Sequence, residues 1–271
     1  YINIDYIMSD FFLKNIYRDN KSKKNKPSYV PNIKKVTMKK VKKFIKTVKI
    51  NIQHEERIDE LLKKSKNKFK LKKHYFLKSD KHMIDYNKLI LTDIGEYSIS
   101  KSFVSQKFIK IFKSTIKRDL SDCIITDGTG GMGGDTIVFV NYFKCVNICD
   151  NSFDHILSIF NNIREYNYLD KVKIYYKNYL EALKYLKQDI IYLDPPWGGP
   201  KYKNKNKIML YLDDVPLYDV IKIIKKTRYF FIKIPTNFNK KKFSDNINLN
   251  NYSLKYFNIT KSVNLLSIIK L

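Results

Sequence analysis

From about Lys101 onward the apolar residues follow two alternating rhythms. Phe103, Val104, Phe108, Ile111, Phe112 and Ile116 recur at three- and four-residue spacing and predict a helix. Short apolar runs then predict strands at Cys123–Asp127, Cys145–Asp150, Val172–Tyr176, Asp189–Asp194 and Tyr229–Ile234. Between them, helices are expected from Asp135, over Asp154–Tyr166, over Tyr179–Lys187 and over 217–227. Two late strands, near 252–259 and 262–270, close the pattern. Strands alternating with helices imply an α/β fold of Rossmann-like type: a doubly wound, mostly parallel sheet with an antiparallel edge hairpin.

The first third reads differently. Ile33, Val36, Val41, Phe44, Ile45 and Val48 predict a helix over 33–50 whose other face is lysine, and Ile58, Leu61 and Leu62 predict a second around Glu55–Lys64. Lys21–Pro31 is polar and proline-flanked, as a connecting segment would be. Two parts are expected: residues 1–88 as a basic, mainly helical extension, and residues 89–271 as the α/β domain.

Charge sharpens that division. The 271 residues carry a formal net charge of +27. Residues 1–88 hold 25 basic against 9 acidic residues, and residues 89–271 hold 28 against 17. Such an excess repels itself in a compact chain and asks for a polyanionic partner, nucleic acid first and a phosphoinositide surface second. A lysine-rich coding bias is the bland alternative, because Lys, Asn, Ile and Tyr are inflated together; the lysine face of 33–50 reads equally as an RNA guide or as a solvated surface. Hydrophobic residues make up 44%, enough for a sizeable core. No run of eighteen apolar residues occurs, so no membrane span is expected, and no secretory leader is readable. Three widely set cysteines, Cys123, Cys145 and Cys149, suit a reducing, intracellular compartment, nuclear or cytoplasmic. No Cys/His cluster has metal-ligand spacing, so no metal is expected, and scattered His54, His74, His82 and His155 receive no catalytic role.

Three motifs carry chemistry. Asp127-Gly-Thr-Gly-Gly-Met-Gly-Gly-Asp135 joins a strand to a helix. Its glycines, Gly128, Gly130, Gly131 and Gly133 with Thr129 among them, let the backbone approach a ligand closely. It lacks the Lys-Ser/Thr ending of a phosphate loop, and Asp127 at the strand end suits a cationic ligand, for which S-adenosylmethionine fits better than a triphosphate. Asp150 ends the next strand 23 residues later, where an acid takes ribose hydroxyls in such sheets. Asn178 follows the third strand, at an adenine-edge position. Asp194-Pro-Pro-Trp-Gly-Gly-Pro-Lys-Tyr202 follows a fourth strand. There an acid and the Pro195 carbonyl can accept two hydrogen bonds from an exocyclic amine, and Trp197, the only tryptophan, can stack on a base. Tyr75 and Tyr202 are candidates for a second aromatic wall.

These motifs resemble a family. The Asp-Pro-Pro-Trp core is shared by amino-directed methyltransferases, and DPPWGGPKY with DGTGGMGGDT is similar to the signatures of trimethylguanosine synthases, the cap-specific guanine-N2 methyltransferases. Leu89–Ser100 resembles a further segment of that family, and the likeness covers residues 73–271, most specifically 127–202. The resemblance implies S-adenosylmethionine as cofactor and 7-methylguanosine-capped RNA as partner. Asp127 and the 128–134 loop would hold the methionine part, Asp150 the ribose and Asn178 the adenine. Asp194, Pro195 and Trp197 would serve the base, Ser98 and Ser100 would lie near the cofactor, and Lys73 would contact cap phosphates. Three positions depart from the family: Asn178 for its usual Asp, Asp194 for a frequent Ser, and Thr236 for an Arg on the phosphates, for which Lys233 or Lys240 could substitute.

The expected function is therefore methyl transfer to the exocyclic N2 of a 7-methylguanosine cap by a monomeric enzyme. An N6-adenine or other amino-methyltransferase is the second reading, although the glycine loop precedes Asp-Pro-Pro-Trp here, the reverse of the large adenine family. A non-catalytic RNA-binding subunit of methyltransferase fold is the third.

Overall fold

A computed structural model describes residues 54–78 and 83–271. The helix expected over 33–50, the segment Lys21–Pro31 and His82 lie outside the described residues. Leu61–Leu271 form one compact unit by themselves. The strands in chain order are β1 (Ile124–Asp127), β2 (Cys145–Asp150), β3 (Val172–Tyr176), β4 (Ile190–Leu193), β5 (Tyr211–Leu212), β6 (Val215–Pro216), β7 (Tyr229–Pro235), β8 (Tyr252–Asn258) and β9 (Val263–Lys270). The helices used below are α1 (Phe69–Tyr75), α2 (Asp93–Ser98), α3 (Ser102–Thr115), α4 (Gly134–Phe139), α5 (Phe153–Glu165), α6 (Tyr179–Ala182), α7 (Leu217–Ile223) and α8 (Lys240–Asn246). Residues 54–64 are helical as well.

Seven strands form one sheet in the order β3-β2-β1-β4-β7-β9-β8. The first five positions are parallel. The last strand inserts antiparallel between β7 and β8, so the expected edge hairpin is present. β5 and β6 make a separate two-residue hairpin. The strand order jumps outward from β1 in both directions, which creates a crevice at the carboxyl ends of β1 and β4, where doubly wound sheets bind ligands.

Alternation along the strands assigns each face its core. Phe230 and Ile232 of β7 pack with Leu193 and Tyr179 on one face. Phe231, between them, turns the other way and lies 4.2 Å from the Phe112 ring of α3. Tyr192 joins that second face against Phe108 and Phe139. Burying this aromatic layer contributes strongly to stability, since each ring removes about 150–250 Å² from water as a rule.

Residues 61–78, read from the sequence as part of the extension, belong to the unit that holds the sheet. The Ser65 hydroxyl and Leu91 backbone exchange hydrogen bonds of 3.0 and 3.1 Å. The Tyr166 hydroxyl donates to the Leu77 carbonyl at 2.5 Å. Two helices are shorter than their apolar pattern suggests. α6 stops after one turn, because the chain must return to β4 through Asp189, whose backbone N–H and side chain are both held by Ile124. α7 ends at Ile223, and Ile224 is already extended ahead of Lys225 and Lys226.

Candidate functional site

The glycine turn after β1 is built from beneath by Asp127. Only 1% of Asp127 is exposed, and it does not reach the cavity above. Its carboxylate accepts the Thr136 hydroxyl at 2.6 Å and the Thr129 N–H at 3.3 Å, so it braces the loop against the start of α4. Burial, then the neighbouring Asp135 carboxylate, pushes its pKa up to about 7, against the pull of the two hydrogen bonds. A Cβ on Gly128 would come within 2.6 Å of Leu193, so only glycine lets the loop lie this close to β4. Gly133, at φ +82°, turns the chain into α4 and takes no place on the cavity wall. Gly131, at φ +54°, does line it, and its N–H donates to Asp150 at 2.9 Å.

Above this turn opens a cavity of about 330 Å³. Its wall brings together the predicted Ser98, Ser100, Gly128, Thr129, Gly130, Gly131, Asp150, Asn178 and Asp194. Asp150 is held on both oxygens: Oδ2 by Gly131, Oδ1 by the Ser152 N–H at 2.8 Å and by His155 Nδ1 at 3.1 Å. Asn178 caps α6 by accepting the Leu180 N–H at 2.8 Å, and its amide donates to the Asp213 carboxylate. Three further wall residues, Asp135, His155 and Asp213, escaped the sequence reading. Asp135 lay inside the quoted glycine motif, and His155 follows Asp150 by five residues into α5. Asp213 gave less signal: it sits at φ +53° in the tight turn of the β5–β6 hairpin, far along the chain from the glycine loop.

The charge of this wall inverts that of the chain. Asp135, Asp150, Asp194 and Asp213 line it, with no lysine or arginine among the described residues. In a protein with 53 basic against 26 acidic side chains, that is a selected environment for a cation.

A second cavity, of about 600 Å³, adjoins the first and shares Asp194, Pro196, Ser98 and Ile94 with it. Its walls hold the predicted Pro195, Trp197, Tyr202 and Lys233, with Tyr97 and Lys203. Trp197 and Tyr202 meet edge to face, 5.2 Å between centroids. Gly198 and Gly199, at φ +94° and +65°, swing the chain away after Trp197 and leave that ring half-buried at the rim. The next turn is anchored by Asn237, whose amide donates to the carbonyls of Tyr202 at 2.9 Å and Lys205 at 2.7 Å. Lys201, Lys203, Lys205 and Lys207 stand exposed along it.

Asp194 is the hinge between the cavities. Its N–H donates to the Thr129 hydroxyl at 2.7 Å, tying the two loops. Burial raises its pKa to about 6 despite Lys233, whose Nζ lies 2.6 Å from Oδ2. The indole Nε1 of Trp197 is buried with no partner in hydrogen-bonding geometry, yet it lies close enough to help hold the Asp194 charge. Lys233 also donates to the Ser100 hydroxyl at 2.8 Å and is only 6% exposed. It is thus engaged inside the site, away from solvent phosphates. Lys73 lines neither cavity: on α1, its Nζ lies 4.4 Å from the Phe69 ring centroid. Thr236 is exposed in the turn after β7. Among the described residues, no group of three His, Cys, Asp or Glu side chains could hold a metal ion.

Comparison with known proteins bears on this geometry. The chain is 33% identical over 144 residues to uncharacterized protein L320 of Acanthamoeba polyphaga mimivirus, covering 51% of this chain and 55% of that one. It is 29% identical over 130 residues to trimethylguanosine synthase of Saccharomyces cerevisiae, covering 44% and 38%. The chain therefore spans about half or less of the length of these relatives. Among solved structures, the precorrin-6y C5,15-methyltransferase of Geobacter metallireducens matches with a TM-score of 0.47 at 12% identity, over 72% of this chain and 98% of that one. The family model described as RNA cap guanine-N2 methyltransferase matches residues 122–266, which hold β1 to β8, the glycine turn and the Asp194–Tyr202 motif. The chain belongs to the RNA cap guanine-N2 methyltransferase family.

Proposed function

We propose that this protein transfers a methyl group from S-adenosylmethionine to the exocyclic N2 of a 7-methylguanosine cap on RNA. One observation carries the reading: an acidic cavity and an aromatic cavity share the Asp194 carboxylate. The acidic wall matches a ligand with an ammonium and a sulfonium, Asp150 matches vicinal ribose hydroxyls, and the Asn178–Asp213 pair matches an exocyclic amine on adenine. When bound, S-adenosylmethionine supplies a sulfonium methyl whose C–S bond breaks as the amine lone pair forms the C–N bond, leaving a neutral thioether.

The residues of the chain do the rest by alignment, since displacement at a sulfonium needs orientation more than a strong base. Trp197 offers an electron-rich face, and the ring charge of 7-methylguanine adds a cation–π attraction of about 0.5–2 kcal/mol over neutral guanine. Asp194 and the Pro195 carbonyl accept from the amine and aim its lone pair. Tyr202 closes the base from the side. The exposed lysines of 201–207 supply a track for the RNA backbone. The three cysteines are free, as suits a reducing compartment.

The test uses the single tryptophan. Titration of 7-methyl-GTP and GTP, each with S-adenosylhomocysteine present, is followed by Trp197 fluorescence. Quenching by 7-methyl-GTP with little response to GTP is expected. Equal response, or none, removes the cap reading and turns attention to adenine-containing strands.

A further inference from the structure

Among the described residues, Lys233 is the one buried ammonium in the wall of the second cavity, and it bonds Asp194 and Ser100, which line the first. It sits on β7, whose next residues, Ile234 and Pro235, are also buried. Its Nζ meets Asp194 Oδ2 at 2.6 Å and Ser100 Oγ at 2.8 Å, and lies 5.5 Å from the Trp197 ring centroid. The same Ser100 hydroxyl donates to Asp135 at 2.6 Å, and Asp135 also accepts the Ser105 hydroxyl at 2.5 Å and the Tyr192 hydroxyl at 2.9 Å. This network ends on Asp194. Oδ2 is occupied by the ammonium, and among the described residues the one other donor near the carboxylate is the Trp197 indole N–H, which is outside hydrogen-bonding geometry.

We infer that Lys233 is a positioning residue for methyl transfer: it grips one oxygen of Asp194 and keeps the other, charged and fixed in direction, for the proton of the amine being methylated. This rests on the cap-amine reading above. As the nitrogen gains its methyl group it acquires a positive charge and must lose one N–H proton. That proton passes to Asp194 Oδ1, the N–H electron pair stays on nitrogen as its lone pair, and the carboxyl later releases the proton to water.

The electrostatics agree in sign. Every other ionisable neighbour of Asp194 opposes its charge or leaves it unaided: Asp135 and Asp127 by repulsion, Tyr192 and Tyr202 as phenols with no charge to offer. Lys233 alone pulls the other way, followed by the Trp197 N–H. Burial disfavours the Lys233 ammonium, but Asp194, Asp135 and Asp127 outweigh it and hold its pKa above the ordinary lysine value. A neutral side chain at 233 leaves Asp194 among like charges, and its carboxyl then takes a proton at higher pH.

The test pairs two readouts on the full chain. Without any cofactor, a pH titration of Trp197 fluorescence reports the state of the adjacent carboxyl. In Lys233→Met the midpoint is expected to rise by about two units or more. With S-adenosylmethionine and 7-methyl-GTP, kcat near neutral pH is expected to fall by about 10- to 100-fold, its acidic limb moving up with the fluorescence midpoint, while KM for 7-methyl-GTP changes by less than about threefold. Lys233→Arg, which keeps the charge, is expected to restore the midpoint and most of kcat. Asp194→Asn/Lys233→Met removes both charges, guards against a misfolded single variant, and is expected to lose the fluorescence transition and the acidic limb together. An unmoved midpoint and kcat in Lys233→Met, or a limb that persists in the double variant, overturns the role of Lys233. No methylation of 7-methyl-GTP by the unaltered protein, with the fluorescence midpoint still set by residue 233, overturns the cap reading instead.

Discussion

The cavity over the glycine turn draws its charge from Asp135, Asp150, Asp194 and Asp213, while its neighbour sets Lys203 and Lys233 beside Trp197 and Tyr202. The first is walled mostly by backbone and short side chains, the second by rings on a turn that Asn237 pins to the end of β7. Under the proposed function, the difference teaches how one basic chain would take a cationic donor and a polyanionic acceptor in adjoining cavities. Lysines are kept off the first wall and crowd the rim of the second. The two plans touch at Asp194, whose charge would draw the donor and whose oxygen would receive from the acceptor.

The sharpest way to break this division is Trp197→Ala. With the stacking face gone, kcat/KM on 7-methyl-GTP is expected to fall at least about 100-fold, close to 3 kcal/mol of transition-state stabilisation. Calorimetry should find S-adenosylhomocysteine bound as before, within about twofold. A parallel loss of both would mean that the cavities are one. Asp150→Ala is the converse. Loss of charged hydrogen bonds worth about 1.5–3 kcal/mol is expected to weaken S-adenosylhomocysteine roughly 10- to 100-fold while leaving the fluorescence response to 7-methyl-GTP in place.

The rim comes next. Replacing Lys201, Lys205 and Lys207 together by Gln is expected to leave 7-methyl-GTP turnover alone and to weaken a capped oligonucleotide. The slope of log affinity against log salt should shrink by about 0.7 for each phosphate that is no longer neutralised. An unchanged slope would send the RNA over another face.

The smallest effect concerns Asp127, which serves the loop from below. Its folded pKa of about 7 stands above the ordinary 3.8. The stability it contributes is therefore complete below about pH 4 and is lost as pH rises through 7. Asp127→Asn is expected to flatten the fall in melting temperature between pH 5 and pH 8 by about 3 °C, read by calorimetry. A steeper fall in the variant would reverse the assignment.

Much of this was legible in the chain because the informative residues are contiguous. β2 and β3 begin and end where their apolar runs do, at Cys145–Asp150 and Val172–Tyr176, since a short run of β-branched, apolar and aromatic residues reveals a strand without its partner. The glycine turn and the Asp194–Tyr202 run are likewise local. What escaped was short or assembled from afar. α2 and α8 span six and seven residues, too few turns for a periodic signal, and depend on packing and caps: Gly95 lies where a Cβ would touch Met132, and Asn239 caps α8 through the Lys242 N–H. Asp213 reaches the first cavity from a hairpin 35 residues past Asn178. Lys233 looked free to meet phosphate in sequence, because nothing local announces a partner 39 residues upstream.

The late insertion of β9 has a consequence for how the polypeptide becomes a protein. β7 pairs with β4 on one edge and waits for β9 on the other, and among the described residues β8 pairs with β9 alone. During synthesis, everything that shapes both cavities has left the ribosome by Asn237, yet the open edge of β7 stays a template for foreign strands until residues 263–270 emerge and thread between two strands already made. The final eight-residue strand is thus the closing stitch, and a nascent chain stalled before it would be the aggregation-prone species a chaperone has to shelter.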